Sequence, residues 1–387
     1  MTIVDRTATT PEAVLTAARE LGPVIAARAA EVEAARRVPP DLVGQLIDAG
    51  SFRVLMPRTY RGADADLAGG LRVIEALARA DASVGWTVMI GGIGWCDLAS
   101  LPRPSFDELF AGPEDAIAAG AFNPSGSIST VGRGYRVTGR WAFASGCQHS
   151  QWLYGNCIEG VVDGRPQMRM AVFPGDEVVI EDTWNVSGLS GTGSHHFHAT
   201  DVVVPADRTF VPLHDEPCLD EPVLRIPLPS LFALGIAAVA VGTAQGALDD
   251  IVDLAAGKVP LLAPATLATN ALFQFELASA DTEFRAARAL LYETAEAAWA
   301  TAAAGAAFTL EQRARMRAAA AWITSRAADV VDAAHRAGGG SSIYVDCPLQ
   351  RRQRDIHAVT QHFLVKRDTL TTAGAVLAGQ DVSVPIF

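Results

Sequence analysis

Positive charge is scarce in this 387-residue sequence. Lys and Arg total 31 against 43 Asp and Glu, a formal net charge of −12. Nucleic acids are gripped by clustered cations, so this balance argues against a nucleic-acid partner. Cysteine is sparse too. Cys96, Cys147, Cys157, Cys218 and Cys347 show no C-x-x-C spacing, and their number is odd. That excludes a disulfide framework or a cysteine zinc site and suits reduced thiols in the cytoplasm. The start, MTIVDRTATTPEAVL, lacks a charged segment followed by an apolar run, so no signal peptide is expected. The most apolar stretch, FALGIAAVAVGTAQGAL (232–248), is short for a membrane span and contains Gln245. It reads as a buried bundle helix, and no membrane partner is expected. Neither a G-x-S-x-G elbow nor a P-loop occurs.

What is present suits a large core. Half the residues are hydrophobic, enough for one large domain or two to three small ones. PEAVLTAARELGPVIAARAAEVEAARR carries apolar positions at helical spacing among good helix formers. Pro39-Pro40 starts a second helix that runs to Gly50. After a loop, LAGGLRVIEALARADASVGWTVMIGGIGW reads as resumed helix. From about residue 119 the texture changes to short β-branched runs between Gly, Pro and Asp, as in a barrel or sandwich. From about 226 the chain returns to long Ala-rich helices, which can approach closely in a bundle. The predicted organisation is α+β in three parts: helical 1–118, β-domain 119–225 and a helical bundle 226–387.

Two motifs invite sharper readings. GLSGTGSHH (188–196) holds three glycines, but no helix is expected after it, so a phosphate would lack a helix N-terminus. In HHFH (195–198), His196 and His198 share one strand face and His195 points away. Without a third ligand nearby, a polar strand edge is expected there rather than a metal site. Residue chemistry alone thus reaches a soluble three-part protein that binds something between its domains.

An ordered set of segments goes further. GWTVMIGGIGWCDLASLP, AGAFNPSGS, GYRVTGRWAFASGCQHSQW, DTWNVSGLSGTGSHHFHATDVVVPADR and AGGGSSIYVDCPLQRRQRDIHAVTQH together resemble the acyl-CoA dehydrogenase superfamily. More narrowly, they look like its two-component, reduced-flavin-dependent monooxygenase branch. The resemblance covers about residues 20–380. It implies an N-terminal helical domain, a central β-barrel and a C-terminal four-helix bundle, assembled as a homotetramer or homodimer. It implies reduced flavin, FAD favoured over FMN, with oxygen as co-substrate and a separate NAD(P)H-dependent flavin reductase. A C4a-hydroperoxyflavin would hydroxylate a small phenol- or indole-like aromatic.

The alternative within the superfamily is an acyl-CoA dehydrogenase-like desaturase. It needs a carboxylate base, and the two family positions for one hold Phe363 and Phe232 here. The monooxygenase branch instead has a histidine eight residues after the helix arginine, which is His362 after Arg354. An imidazole there can take a substrate proton or hold an oxygen by a hydrogen bond. His357, five residues earlier and about 140° round the same helix, is expected to pack or contact a subunit. In WAFASGC the resemblance puts Phe143, Ala144, Ser145 and Gly146 against the flavin, with the Ser145 hydroxyl beside N5. Ala144 departs from the Ser or Thr of many members. Phe122 and Asn123 match a flavin-contacting loop, and Gly338 and Gly339 a segment that approaches the cofactor of a neighbouring subunit. Lys258 stands in the region where dehydrogenases of the family often have an Arg that grips the cofactor's phosphates, and would make a weaker contact. Arg354 is expected to hold a phosphate, or to pair with Asp355 or Asp346. Trp86, Trp95, Phe232 and Phe363 would line the aromatic substrate pocket.

Overall fold

The computed structural model describes residues 10–112, 115–380 and 382. Residues 1–9, on which the signal-peptide reading rests, lie outside the described residues. The Thr10 side chain accepts the Ala13 N–H and so caps α1 (Pro11–Ala27). Arg28 interrupts the first predicted helix, and α2 (Ala29–Ala35) follows it. α3 (Pro40–Asp48) starts on a proline and stops two residues before the left-handed Gly50, at φ 75°. The stretch expected as one helix after residue 67 is two, α4 (Leu67–Ala80) and α5 (Ala82–Leu98). Asp81 between them is extended, and its carboxylate caps α5 by accepting Val84 N–H at 3.1 Å. α6 (Arg103–Phe110) closes the N-terminal part.

Seven strands follow: β1 (Ala118–Val131), β2 (Gly134–Trp141), β3 (Trp152–Val162), β4 (Arg165–Pro174), β5 (Val179–Glu181), β6 (His196–Pro205) and β7 (Thr209–Phe210). They form one mixed sheet in the order β5-β6-β2-β1-β3-β4-β7, with β1 and β3 parallel. The expected barrel is therefore not closed by hydrogen bonds, since β5 and β7 end the order. The sheet still curls on itself. β2 and β4 lie three strand spacings apart, about 14 Å if flat. Yet Trp141 of β2 meets Phe173 of β4 with ring centroids at 5.7 Å and stacks on Phe197 of β6 at 4.9 Å. Trp141 is the centre of this second core and donates Nε1–H to Asn156 O at 2.7 Å.

The C-terminal part holds α7 (Pro222–Arg225), α8 (Leu228–Gly257), α9 (Ala271–Ala303), α10 (Leu310–Gly338), α11 (Pro348–Val359) and α12 (Asp368–Leu377). α8 packs between α4 and α10. Among the described residues it is the one helix long and apolar enough to cross a membrane, and 89% of that window is buried inside the protein. A Cβ at Gly242 would come within 2.3 Å of Glu75 O, so α8 and α4 approach at a distance only glycine allows. α11 ends at Val359, earlier than expected, and His362 lies in the turn beyond it.

Candidate active site

Three segments distant in sequence converge on Trp86. The indole is buried on α5 and donates Nε1–H to Ser145 Oγ at 3.0 Å. Its ring meets His362 edge-on, with centroids 5.6 Å apart. α5, the turn after β2 and the turn after α11 therefore meet at one side chain. Ser145 belongs to a tight turn. Phe143 before it sits at φ 66°, rare for a bulky residue, and Gly146 after it at φ 74°. The Phe143 ring is 68% exposed and presents its edges to Trp184 and His196, with centroids at 6.1 and 6.4 Å. Ala144 is buried, and its N–H is held by His195 O at 3.1 Å.

The glycine loop set aside in the sequence supplies the partners. Ser145 Oγ lies 2.7 Å from Ser194 Oγ, which lies 2.7 Å from Thr192 Oγ1. Thr192 Oγ1–H donates to Leu189 O at 2.8 Å. Leu189 and Gly193 both take positive φ, at 55° and 54°, which folds the loop back on itself. The loop is pinned from the bundle. Asp355 of α11 is buried and accepts Leu189 N–H at 2.7 Å. A Cβ on Gly188 would meet Arg354 O at 2.1 Å. Three hydroxyls between glycines were a usable signal. That one of them, Ser194, meets Ser145 from 49 residues away, with Thr192 behind it, was not legible.

His362 is held neutral. Burial lowers its pKa, helped by the charge of Arg317, to about 4. Its Nδ1 accepts Leu364 N–H at 3.3 Å. The neutral ring then carries its proton on Nε2. Arg317, buried on α10, fixes the same turn by donating Nη2–H to Leu364 O at 3.1 Å. Sequence reasoning missed Arg317 because nothing near it in the chain marks it. Phe363 stacks obliquely on His362 at 4.9 Å and is 45% exposed.

Other expected site residues fall elsewhere. Trp95 is nine residues from Trp86, two and a half helical turns, so it faces the opposite side about 13 Å along α5. It is fully buried and packs against Phe106 at 6.4 Å, a core role and not a pocket wall. Arg354 pairs with neither Asp355 nor Asp346. Its guanidinium binds Glu33, Ser187 O at 2.7 Å and Gln350 Oε1 at 2.7 and 2.9 Å, and so ties α11 to α2 and the glycine loop. These bonds use it as a tether instead of a phosphate clamp. Lys258 ends α8 and donates to Gly338 O, which joins it to the expected glycine pair. Gly339 takes φ 54° beside it. Phe122 is half-buried, and its carbonyl accepts Asn156 Nδ2–H at 2.9 Å. Asn123 is exposed and bonds Ser125 Oγ at 2.8 Å. Phe232, near the start of α8, is half-buried against the main core.

His357 is a partner of Asp332 at 3.0 Å and links α11 to α10. In HHFH, His198 binds Glu181 at 2.9 Å, while His195 Nδ1 accepts Thr183 and Trp184 N–H at 3.2 Å. Among the described residues, no group of three or more His, Cys, Asp or Glu could hold a metal.

The fold and this convergence of three domains define the acyl-CoA dehydrogenase architecture. The family models for the acyl-CoA dehydrogenase N-terminal and C-terminal domains match residues 7–99 and 234–367. The chain is 32% identical to an indole-3-acetate monooxygenase of Pseudomonas putida over 92% of its length and 90% of that protein's. It is 30% identical to an FADH2-dependent resorcinol hydroxylase, oxygenase component, of a Rhizobium species, over 89% of this chain and 88% of that one. The crystal structure of 3-HSA hydroxylase from Rhodococcus sp. RHA1 superposes with a TM-score of 0.89 at 28% identity, covering 97% of this chain and 99% of that one. The chain belongs to the acyl-CoA dehydrogenase superfamily and, within it, to the flavin-dependent monooxygenases.

The residues present fit a reduced flavin. The exposed Phe143 ring offers an apolar surface on which a planar ring system can pack. Ser145 Oγ, with two bonds made, retains one hydrogen-bonding position for a ring nitrogen.

Proposed function

We propose that this chain is the oxygenase component of a two-component system, hydroxylating a small indole- or phenol-like substrate with reduced flavin from a separate NAD(P)H-dependent reductase. Bound reduced flavin would supply the two electrons that split O2, with one oxygen entering the substrate and the other leaving as water. The observation that carries this reading is Trp86, which touches both Ser145 and His362. It brings a hydroxyl and an imidazole into contact with one indole.

The chain's own groups have separable tasks. Ser145 holds a ring proton in place. His362 offers Nε2–H, because Nδ1 is already engaged by Leu364 N–H. Orienting an oxygen by donation therefore fits it better than taking a proton. Trp86 and Phe363 flank the histidine and suit a flat apolar substrate. The names of the indole-3-acetate and resorcinol relatives favour an aromatic substrate, and that of the latter favours FAD over FMN. Assembly as a homotetramer or homodimer is supported by apolar side chains left bare, Leu262 at 97% and Val345 at 86% exposure. Five thiols without a pairing pattern suit the cytoplasm.

The test loads purified protein anaerobically with chemically reduced FAD, or FMN, and mixes it with oxygen and a panel of indoles and phenols. The expected result is hydroxylated product in near-equal amount to the reduced flavin. Enoyl product from an acyl-CoA panel, with no hydroxylation of any aromatic, would move the assignment to a desaturase.

A further inference from the structure

The hydroxyl chain beside Trp86 has one favoured way to place its hydrogens. Leu189 O can only accept, and although it also takes N–H bonds from Trp184 and Thr192, its 2.8 Å contact with Thr192 Oγ1 needs the hydroxyl proton between the two oxygens. Thr192 then has no proton for Ser194, and Ser194 must donate to Thr192 across their 2.7 Å contact. Ser194 is spent in turn, so Ser145 must donate to Ser194. At the other end the indole of Trp86 can only donate, and Ser145 accepts it. Ser194 and Thr192, behind Ser145, are buried, so their links are shielded from solvent. The backbone holds the two turns together. Gly146 N–H donates to Thr192 O at 2.9 Å and Ala144 N–H to His195 O at 3.1 Å.

We infer that Thr192 and Ser194 fix Ser145 as an acceptor, and that the site thereby selects reduced over oxidised flavin. N5 of reduced flavin carries a hydrogen and donates, whereas N5 of oxidised flavin has only a lone pair and accepts. The first meets the open acceptor position of Ser145. The second needs the Ser145 proton, and taking it leaves the 2.7 Å contact to Ser194 with two oxygens and no hydrogen. The proposal rests on the reading that Ser145 faces N5. Thr192 and Ser194 are positioning residues, since they act through Ser145. An oxygenase that receives reduced flavin and must release the oxidised form gains turnover from this polarity.

The experiment measures dissociation constants for oxidised and for anaerobically reduced FAD, together with the midpoint potential of the bound flavin. The unaltered protein is expected to hold the reduced form more tightly; equal affinity for both forms would overturn the inference at once. Thr192→Val removes the terminal donation, so Ser194 can donate to Ser145 and free its proton for the ligand. Ser194→Ala frees the same proton directly. Each variant is expected to bind oxidised FAD about tenfold more tightly with little change for the reduced form. The bound midpoint potential then falls by about 30 mV. Thr192→Ser keeps the hydroxyl and should keep the unaltered ratio. A ratio within twofold of the unaltered protein in whichever of Thr192→Val and Ser194→Ala folds would sink the inference. Ser145→Ala separates the two claims. If it leaves both constants unchanged, Ser145 does not face the flavin and the site reading itself fails. If it weakens reduced-flavin binding while the other variants change nothing, only the polarity inference fails.

Discussion

His362 is a histidine that does not titrate where histidines usually do. Burial and the nearby charge of Arg317 bring its pKa to about 4. Its neutral form therefore persists across ordinary assay pH. The expected acid limb of coupled hydroxylation attributable to His362 lies near pH 4 and not near 6.5, measured as product formed per reduced flavin. The sign for stability is also set. Between pH 6.5 and 4 the unfolded chain binds a proton here that the native chain refuses, so acid in that window favours unfolding. His362→Gln should flatten that part of the thermal-midpoint profile. His362→Ala should still bind reduced flavin and consume oxygen, with product yield down about tenfold and hydrogen peroxide up to match. Undiminished coupling would remove His362 from the active site. Its candidacy was legible in the sequence from its position after Arg354. Its tautomer was not, because that depends on the Leu364 N–H in a turn that begins only where α11 stops.

At the scale of elements, the curl of the sheet is set by one large side chain and the glycines around it. A Cβ on Gly155 would come within 2.4 Å of the Trp141 ring, and one on Gly139 within 2.6 Å. Gly155→Ala is therefore expected to cost about 1–3 kcal/mol by overpacking. Denaturant unfolding would measure it, and a neutral result would mean that Trp141 has room to move. The alternation of residues 119–205 made the strands visible, and the change of texture near residue 119 is close to the start of β1 at Ala118. Closure was not visible. Whether the last strands pair depends on sheet order, and β5 and β7, at three and two residues, offer few backbone groups for pairing. Helix breaks were partly hidden for a similar reason. Asp81 caps α5 from inside an otherwise continuous helical pattern.

Across the whole molecule, buried charge couples the bundle to the site. Burial pushes the Asp355 carboxyl up, and Asp81 beside it pushes it further. A carboxylate raised in this way favours the native state at low pH and loses that contribution as pH rises through its folded-state pKa. Asp355→Asn keeps an acceptor for Leu189 N–H and removes the repulsion. A higher thermal midpoint at pH 8, with the gain shrinking as pH falls, is the expected outcome; destabilisation at pH 8 would show that Arg351 nearby needs the charge. The bare apolar side chains of Leu262 and Val345 carry the matching expectation for assembly. Light scattering should find a homo-oligomer, and Leu262→Lys with Val345→Asp should lower its mass; a monomeric unaltered protein would refute it. The sequence by itself determined the order of helices, strands and bundle, the superfamily, and the candidacy of Ser145 and His362, because periodicity and ordered motifs are properties of the chain alone. Only the tertiary structure decided that Trp86 joins those two residues while Trp95 does not, that Arg354 is a tether, and that a discarded glycine loop supplies Thr192 and Ser194. Those outcomes depend on which surfaces three distant segments bury against one another, and hydrogen-bond partners separated by scores of residues leave no mark in local spacing.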